Sequence, residues 1–81
     1  MSNKLLKGNA LKLLDVMEND AGGPMPVTDK QAIQLNLLCK NYDMTLLETL
    51  AIGEVQEQEK IAKSSPGLRV IHRILEEIFN A

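Results

Sequence analysis

The chain holds one histidine, His72, and one cysteine, Cys39. Glu76 follows His72 by one helical turn, a spacing that sets imidazole and carboxylate side by side. Such a pair does acid–base work only beside a nucleophile or a second base, and the sequence offers neither. His72 is therefore expected to be a solvated histidine near a carboxylate. Cys39 sits among Leu35, Leu37 and Leu38 with no cationic cluster to lower its pKa, so a small core residue is expected rather than a nucleophile. One His and one Cys do not make a four-ligand zinc set. Asp43, Glu48, Glu54, Glu57 and Glu59 lack the alternating oxygen ligands and central Gly of a calcium loop, and read as a solvated acidic face. Gly22-Gly23-Pro24 is not preceded by a strand or followed by Lys-Ser or Lys-Thr, so it is not a phosphate-binding loop. These readings predict a protein that is not an enzyme and uses no cofactor, metal or small-molecule substrate.

The elements that carry these residues are read as helices. Leu6, Ala10, Leu13, Leu14 and Met17 recur at helical spacing and predict a helix over 3–19. Acids near its end, Asp15 and Glu18, oppose the helix dipole and predict fraying there. Residues 20–27, with two Gly and two Pro, predict a loop. Thr28 and Gln31 form a capping box that opens a second helix. Its apolar residues, Ile33 and Leu37 on one side and Leu35, Leu38 and Tyr42 on another, predict a central position. Thr45 and Glu48 form a second such box and favour a new helix from 45, the alternative being one long helix continuous through 41–45 with Thr45 inside it. Gly53 predicts a kink or helix end. Residues 54–63 are strongly polar and predict a solvated helix or loop. Ser65 as N-cap and Pro66 at the first helical position open the last helix, over 66–79. No alternating pattern predicts a strand. The expected fold is all-α, a small bundle of three to four helices. The expected organisation is an N-terminal helix or arm over 1–19, the Gly/Pro loop over 20–27 and a helical core over 28–81.

In the last helix Leu68, Val70, Ile71, Ile74, Leu75, Ile78 and Phe79 fill an arc of about 180° at about 100° per residue. Arg69, His72, Arg73, Glu76 and Glu77 fill the other half. One packing contact needs an apolar stripe of little more than about 100°. The helix therefore either fills a groove of its own chain or meets a second molecule along one edge. A chain of 81 residues buries little more than about 60% of its unfolded surface and is marginal alone. Disulfides within one chain are excluded, which leaves self-association or a helical protein partner. The expected contacts are Leu68, Ile71, Ile74, Leu75 and Ile78.

Hydrophobic residues are 44% and charged residues 25% of the chain, which excludes a disordered or collagen-like chain. Nine basic and eleven acidic residues leave a net charge of −2 and a pI near 5.3. Charge sums to 0 over 1–20, +1 over 21–42, −3 over 43–63 and 0 over 64–81. A dedicated nucleic-acid binder is usually basic, so double-stranded DNA has only one small candidate patch: Lys4, Lys7 and Lys12. Aromatics are 2%, which disfavours single-strand binding by base stacking. No apolar run exceeds three residues, against about 20 for a membrane span. With no signal peptide visible and a lone Cys, a cytoplasmic location is expected.

One resemblance adds to this reading. The capped segment Thr28-Asp29-Lys30-Gln31 runs on through Leu37-Leu38-Cys39-Lys40-Asn41-Tyr42-Asp43. An amphipathic helix then ends near Ile52-Gly53, and Lys63-Ser64-Ser65-Pro66-Gly67-Leu68-Arg69-Val70-Ile71 begins another. Over residues 27–79 this pattern resembles the small-subunit family of phage DNA-packaging terminases, the last segment being similar to the family's Asn-Pro-Ala-Leu-Arg type of helix start. The resemblance implies a non-catalytic packaging component that oligomerises, binds DNA or other terminase subunits, and regulates a large subunit. The chain departs from the family in its acidity and in stopping at Asn80-Ala81, which suggests a packaging modulator. The rival expectation is a small acidic helical inhibitor or immunity-type protein that blocks a partner.

Overall fold

The computed structural model describes residues 3–80. The sequence builds five helices: α1 Gly8–Ala21, α2 Asp29–Asn41, α3 Met44–Ala51, α4 Val55–Ala62 and α5 Pro66–Asn80. The fold is all-α among the described residues, with one helix more than expected.

Local chemistry sets most boundaries. Thr28 caps α2 as its sequence predicts, its Oγ1 accepting from the Gln31 amide at 3.2 Å while Gln31 Oε1 accepts from the Thr28 amide at 2.8 Å. Ser65 Oγ accepts from the Gly67 amide at 3.2 Å at the start of α5, with Pro66 leading the helix. α3 departs from expectation. Its cap is Asp43, whose Oδ1 accepts from the Thr45 amide at 2.9 Å, and Thr45 lies inside the helix. A carboxylate at an N-terminus also meets the positive end of the helix dipole, which favours it over a threonine two residues later. Gly53 takes φ +86°, left-handed backbone that Gly adopts without strain, and separates α3 from α4.

α1 begins five residues later than its apolar spacing suggests. Asn3 Oδ1 accepts from the Leu5 amide at 2.8 Å. The Asn36 side chain donates to the Leu5 carbonyl at 2.7 Å and accepts from the Lys7 amide at 3.1 Å. Asn3 Nδ2 also reaches Asp29 Oδ1 at 2.7 Å. Asn3 thus satisfies the Leu5 N–H, and Asn36 of α2 satisfies the Leu5 carbonyl and the Lys7 N–H, in place of helical bonds. At the other end Glu18 and Asp20 have partners. Glu18 Oε2 accepts from the Met25 amide at 2.7 Å and Asp20 Oδ2 from the Gly53 amide at 3.1 Å. Gly22, at φ +80°, turns the chain out of α1 while its amide donates to the Glu18 carbonyl at 2.9 Å.

One core joins all five helices. Leu6, Ala10, Leu13, Leu14 and Met17 are buried in it, as their spacing predicts, together with Leu35, Leu38, Leu47, Leu50 and Ile71. α1 packs on α2 and α3, and α5 packs on α2, α3 and α4. α1 is thus part of the body, and residues 22–28 are an internal connection. α2 is covered on one side only: Ala32, Leu35, Leu38 and Cys39 are buried, while Ile33 and Leu37 are exposed.

Candidate partner-binding surface

α5 has the strongest amphipathic pattern in the chain, and the structure orients it differently from the centre of its apolar arc. With Leu68 at 0°, the arc runs from Val70 at about 200° to Phe79 at about 20°, and His72 lies just beyond it at about 40°. The buried side chains are Ile71, His72, Leu75 and Ile78. The packed face is therefore turned towards His72, leaving Val70 at the opposite edge 49% exposed. α4, with Ala62 its one buried residue, covers the His72 side, while the Val70 side is left bare.

This orientation corrects the expected contact set. Ile71, Leu75 and Ile78 belong to the chain's own core and are closed to a second molecule. Leu68 and Ile74 are half-buried against that core. The groove formed by α2, α3 and α4 hides more of α5 than so short a chain was expected to manage. Of the expected contacts, Ile74 is the one that the structure sets beside exposed apolar neighbours on α2.

His72 is likewise not solvated: it retains 9% of its surface, and its Nδ1 lies 2.9 Å from Glu76 Oε1. The pair borders a groove of about 610 Å³ between α4 and α5, with Lys63, Arg69, Arg73 and Glu59 also on its walls. No serine, threonine or cysteine lines it, so the pair has no hydroxyl or thiol to activate. Arg73 Nε pairs loosely with Glu77 Oε1 at 3.6 Å on the surface. Among the described residues no group of three His, Cys, Asp or Glu side chains is placed to hold a metal ion.

Cys39 is buried in the core cluster, the position its sequence environment predicts. Burial pushes its thiol up to about 11, because a thiolate loses hydration there. At neutral pH it is protonated and a poor nucleophile.

Lys4, Lys7 and Lys12 are all exposed. Lys7 borders a groove of about 430 Å³ together with Lys40, Leu5 and Ile33, whereas Lys4 and Lys12 lie outside it. The structure thus pairs Lys7 with a cation from α2 that its sequence neighbourhood does not suggest.

The feature that remains is apolar. On α2, Ile33 is 53% and Leu37 55% exposed. Leu37 also lines a groove of about 260 Å³ with Tyr42 and with Ile74 of α5. Ile74 lies one turn from exposed Val70. Ile33 meets Leu5 across the neighbouring groove. An apolar strip therefore runs from Leu5 over Ile33 and Leu37 to Ile74 and Val70, crossing three segments of chain. Scattered single exposed side chains are ordinary, but a contiguous set marks a contact site.

Comparison of the chain with protein-family models, with curated proteins and with solved structures found no match. No helix among the described residues is long and apolar enough to cross a membrane.

α3 and α4 are two eight-residue helices joined by Ile52-Gly53-Glu54, the connection length of a helix-turn-helix. The second helix of such a pair enters the major groove, between the phosphate backbones, in DNA-binding domains. Here α4 and its cap carry Glu54, Glu57 and Glu59 against Lys60, which repels phosphate.

Proposed function

We propose that the protein is a non-catalytic component of phage DNA packaging, similar in role to a terminase small subunit, that acts by joining other packaging subunits. The observation that carries this reading is the strip Leu5–Ile33–Leu37–Ile74–Val70, left bare by a chain whose core is otherwise closed. An association protein needs such a surface. Within the resemblance, the strip is where another subunit docks, and any DNA contact falls to the exposed lysines of the N-terminal segment, Lys4, Lys7 and Lys12. Self-association, where it occurs, uses the Val70–Ile74 edge of α5 and not its buried face. The experiment is a gel shift with viral packaging-site DNA, with and without a large terminase subunit. A shift enhanced by this protein in the presence of the large subunit supports the reading. No effect on DNA or on the large subunit removes it.

A specific observation favours a second reading. The surface around α4 and its cap is acidic, with Glu54, Glu57 and Glu59 exposed, and would suit an inhibitor that meets a basic partner. Inhibition of the large subunit's nuclease without any effect on DNA affinity would select it.

A further inference from the structure

The strip has borders that say what fits it. On α2, Lys30, Ile33, Leu37 and Lys40 follow one another at spacings of three, four and three, so they share one face. All four are exposed. The apolar pair is thus capped by a cation at each end. Among the described residues neither lysine makes an ion pair, and Lys7 adds a third cation beside Lys40. The one carboxylate of α2, Asp29, is engaged by Asn3 Nδ2 at 2.7 Å. On the α5 side, Glu77 is already beside Arg73 at 3.6 Å.

We propose that this face, from α2 across the Leu37–Ile74 groove to Val70, is the docking site for an amphipathic helix of another protein whose apolar stripe is bordered by acidic residues. Two observations choose this occupant, and they also disfavour its two rivals. The face is a ridge of Ile33 and Leu37 beside a groove floored by Leu38 and walled by Ile74, the form that accepts a helix by its apolar side. Among the described residues its unpaired cations Lys7, Lys30 and Lys40 outnumber its one unpaired carboxylate, Asp29, so acids on the incoming helix would find Lys30 and Lys40 waiting at either end. A second copy of the chain is disfavoured by the same charges. A two-fold contact through α2 sets Lys30 against Lys40 when the helices are antiparallel, and each lysine against itself when they are parallel. Duplex DNA is disfavoured by the apolar centre, since phosphates gain nothing from covering Ile33 and Leu37.

The proposal rests on the reading of the protein as an association component, and names the chemistry of the partner. Its test uses the full chain and two labelled, cross-linked helical peptides. Both carry one Leu/Ile stripe at three–four spacing; one has Glu beside the stripe and the other Lys. The Glu peptide is expected to bind at least about tenfold more tightly by fluorescence anisotropy, a difference one or two close charge pairs can supply. Leu37→Glu should abolish its binding, and Lys30→Glu with Lys40→Glu should invert the preference. All these positions are exposed, and circular dichroism checks that the variants are folded. Binding of neither peptide, or equal binding of both, overturns the proposal. So does a dimer of the protein alone that Leu37→Glu dissolves, which would give the face to a second copy. DNA binding lost in the double lysine variant, with no binding of the Glu peptide, would give it to DNA and overturn the proposal likewise. If the peptides fail while the large-subunit shift persists, the docking site falls and the packaging role stands. If the Glu peptide binds while DNA and the large subunit are unaffected, the reverse holds.

Discussion

Gln31 Nε2 donates a hydrogen bond to the Ile78 carbonyl at 2.9 Å. The same side chain accepts from the Thr28 amide through Oε1 at 2.8 Å. A residue that caps α2 therefore also satisfies a carbonyl in the last turn of α5, where helices leave acceptors orphaned. One amide thus ties the local start of one helix to the tertiary position of another.

Two substitutions separate these roles. Gln31→Ala should lower stability by about 1–2 kcal/mol, through a lost cap and a lost interhelical bond. Gln31→Glu keeps the acceptor for Thr28 and loses the donor to Ile78. It should fall between wild type and Gln31→Ala in urea unfolding. A Glu variant as stable as wild type would show that the bond to Ile78 contributes nothing.

Cys39 predicts a pH dependence with a definite sign. Its thiol is raised from 9.0 to about 11 on folding, so between those values the folded state holds a proton that the unfolded state releases. The contribution is fully present below about pH 9 and is lost as pH rises towards 11. The loss has a ceiling of roughly 2–3 kcal/mol. Cys39→Ala should flatten this part of the stability profile. A thiol reagent at pH 8 should label the native protein slowly and the urea-unfolded protein at once.

Burial separates two classes of variant that look alike in the sequence. Ile71 is 2% exposed and Leu37 55%. Ile71→Ala should cost about 2–5 kcal/mol and leave much of the protein unfolded at room temperature. Leu37→Ala should change stability by no more than about 0.5 kcal/mol. Chemical denaturation of the two variants checks this. Equal losses would mean that α2 buries its outer face.

Gly53 isolates a backbone effect. At φ +86° an added Cβ would meet no atom within 4 Å, so Gly53→Ala introduces conformational strain without a clash. A loss of about 1–2 kcal/mol is expected. An unchanged thermal midpoint would show that the α3–α4 turn relaxes into a right-handed form.

Glu76 is expected to matter less than the imidazole it holds. Glu76→Gln keeps an acceptor near Nδ1 on a half-exposed side chain and should cost under about 1 kcal/mol, whereas His72→Ala empties a buried position and should cost about 2 kcal/mol or more. The ranking, read from denaturant midpoints, is reversed if the carboxylate is what holds α5 in place.

Much of this structure is written locally. The Thr28–Gln31 box, the Ser65-Pro66 start, the Gly/Pro break and the apolar rhythm of α1 are each decided by atoms within a turn of one another, so the sequence shows them directly. Local signals also mislead where two compete. Thr45 with Glu48 has the form of a cap, but Asp43 stands earlier and takes the amide. The spacing from Leu6 suggests a helix whose first turn Asn3 and Asn36 instead hold open.

The candidate site was legible in pieces. The row Lys30–Ile33–Leu37–Lys40 can be read from spacing alone. Which side of α2 would be left bare cannot, because Leu35 and Leu38 offer an apolar face as good as Ile33 and Leu37. By itself the sequence determined the helical class, most helix ends and the amphipathic half of α5, since hydrogen bonding and helical periodicity act over a few residues. Only the tertiary structure decided that α5 turns towards His72, burying an imidazole and baring Val70. That choice depends on where α4 lies against it, and free energy from packing between segments distant in the chain leaves no trace in the spacing of either one.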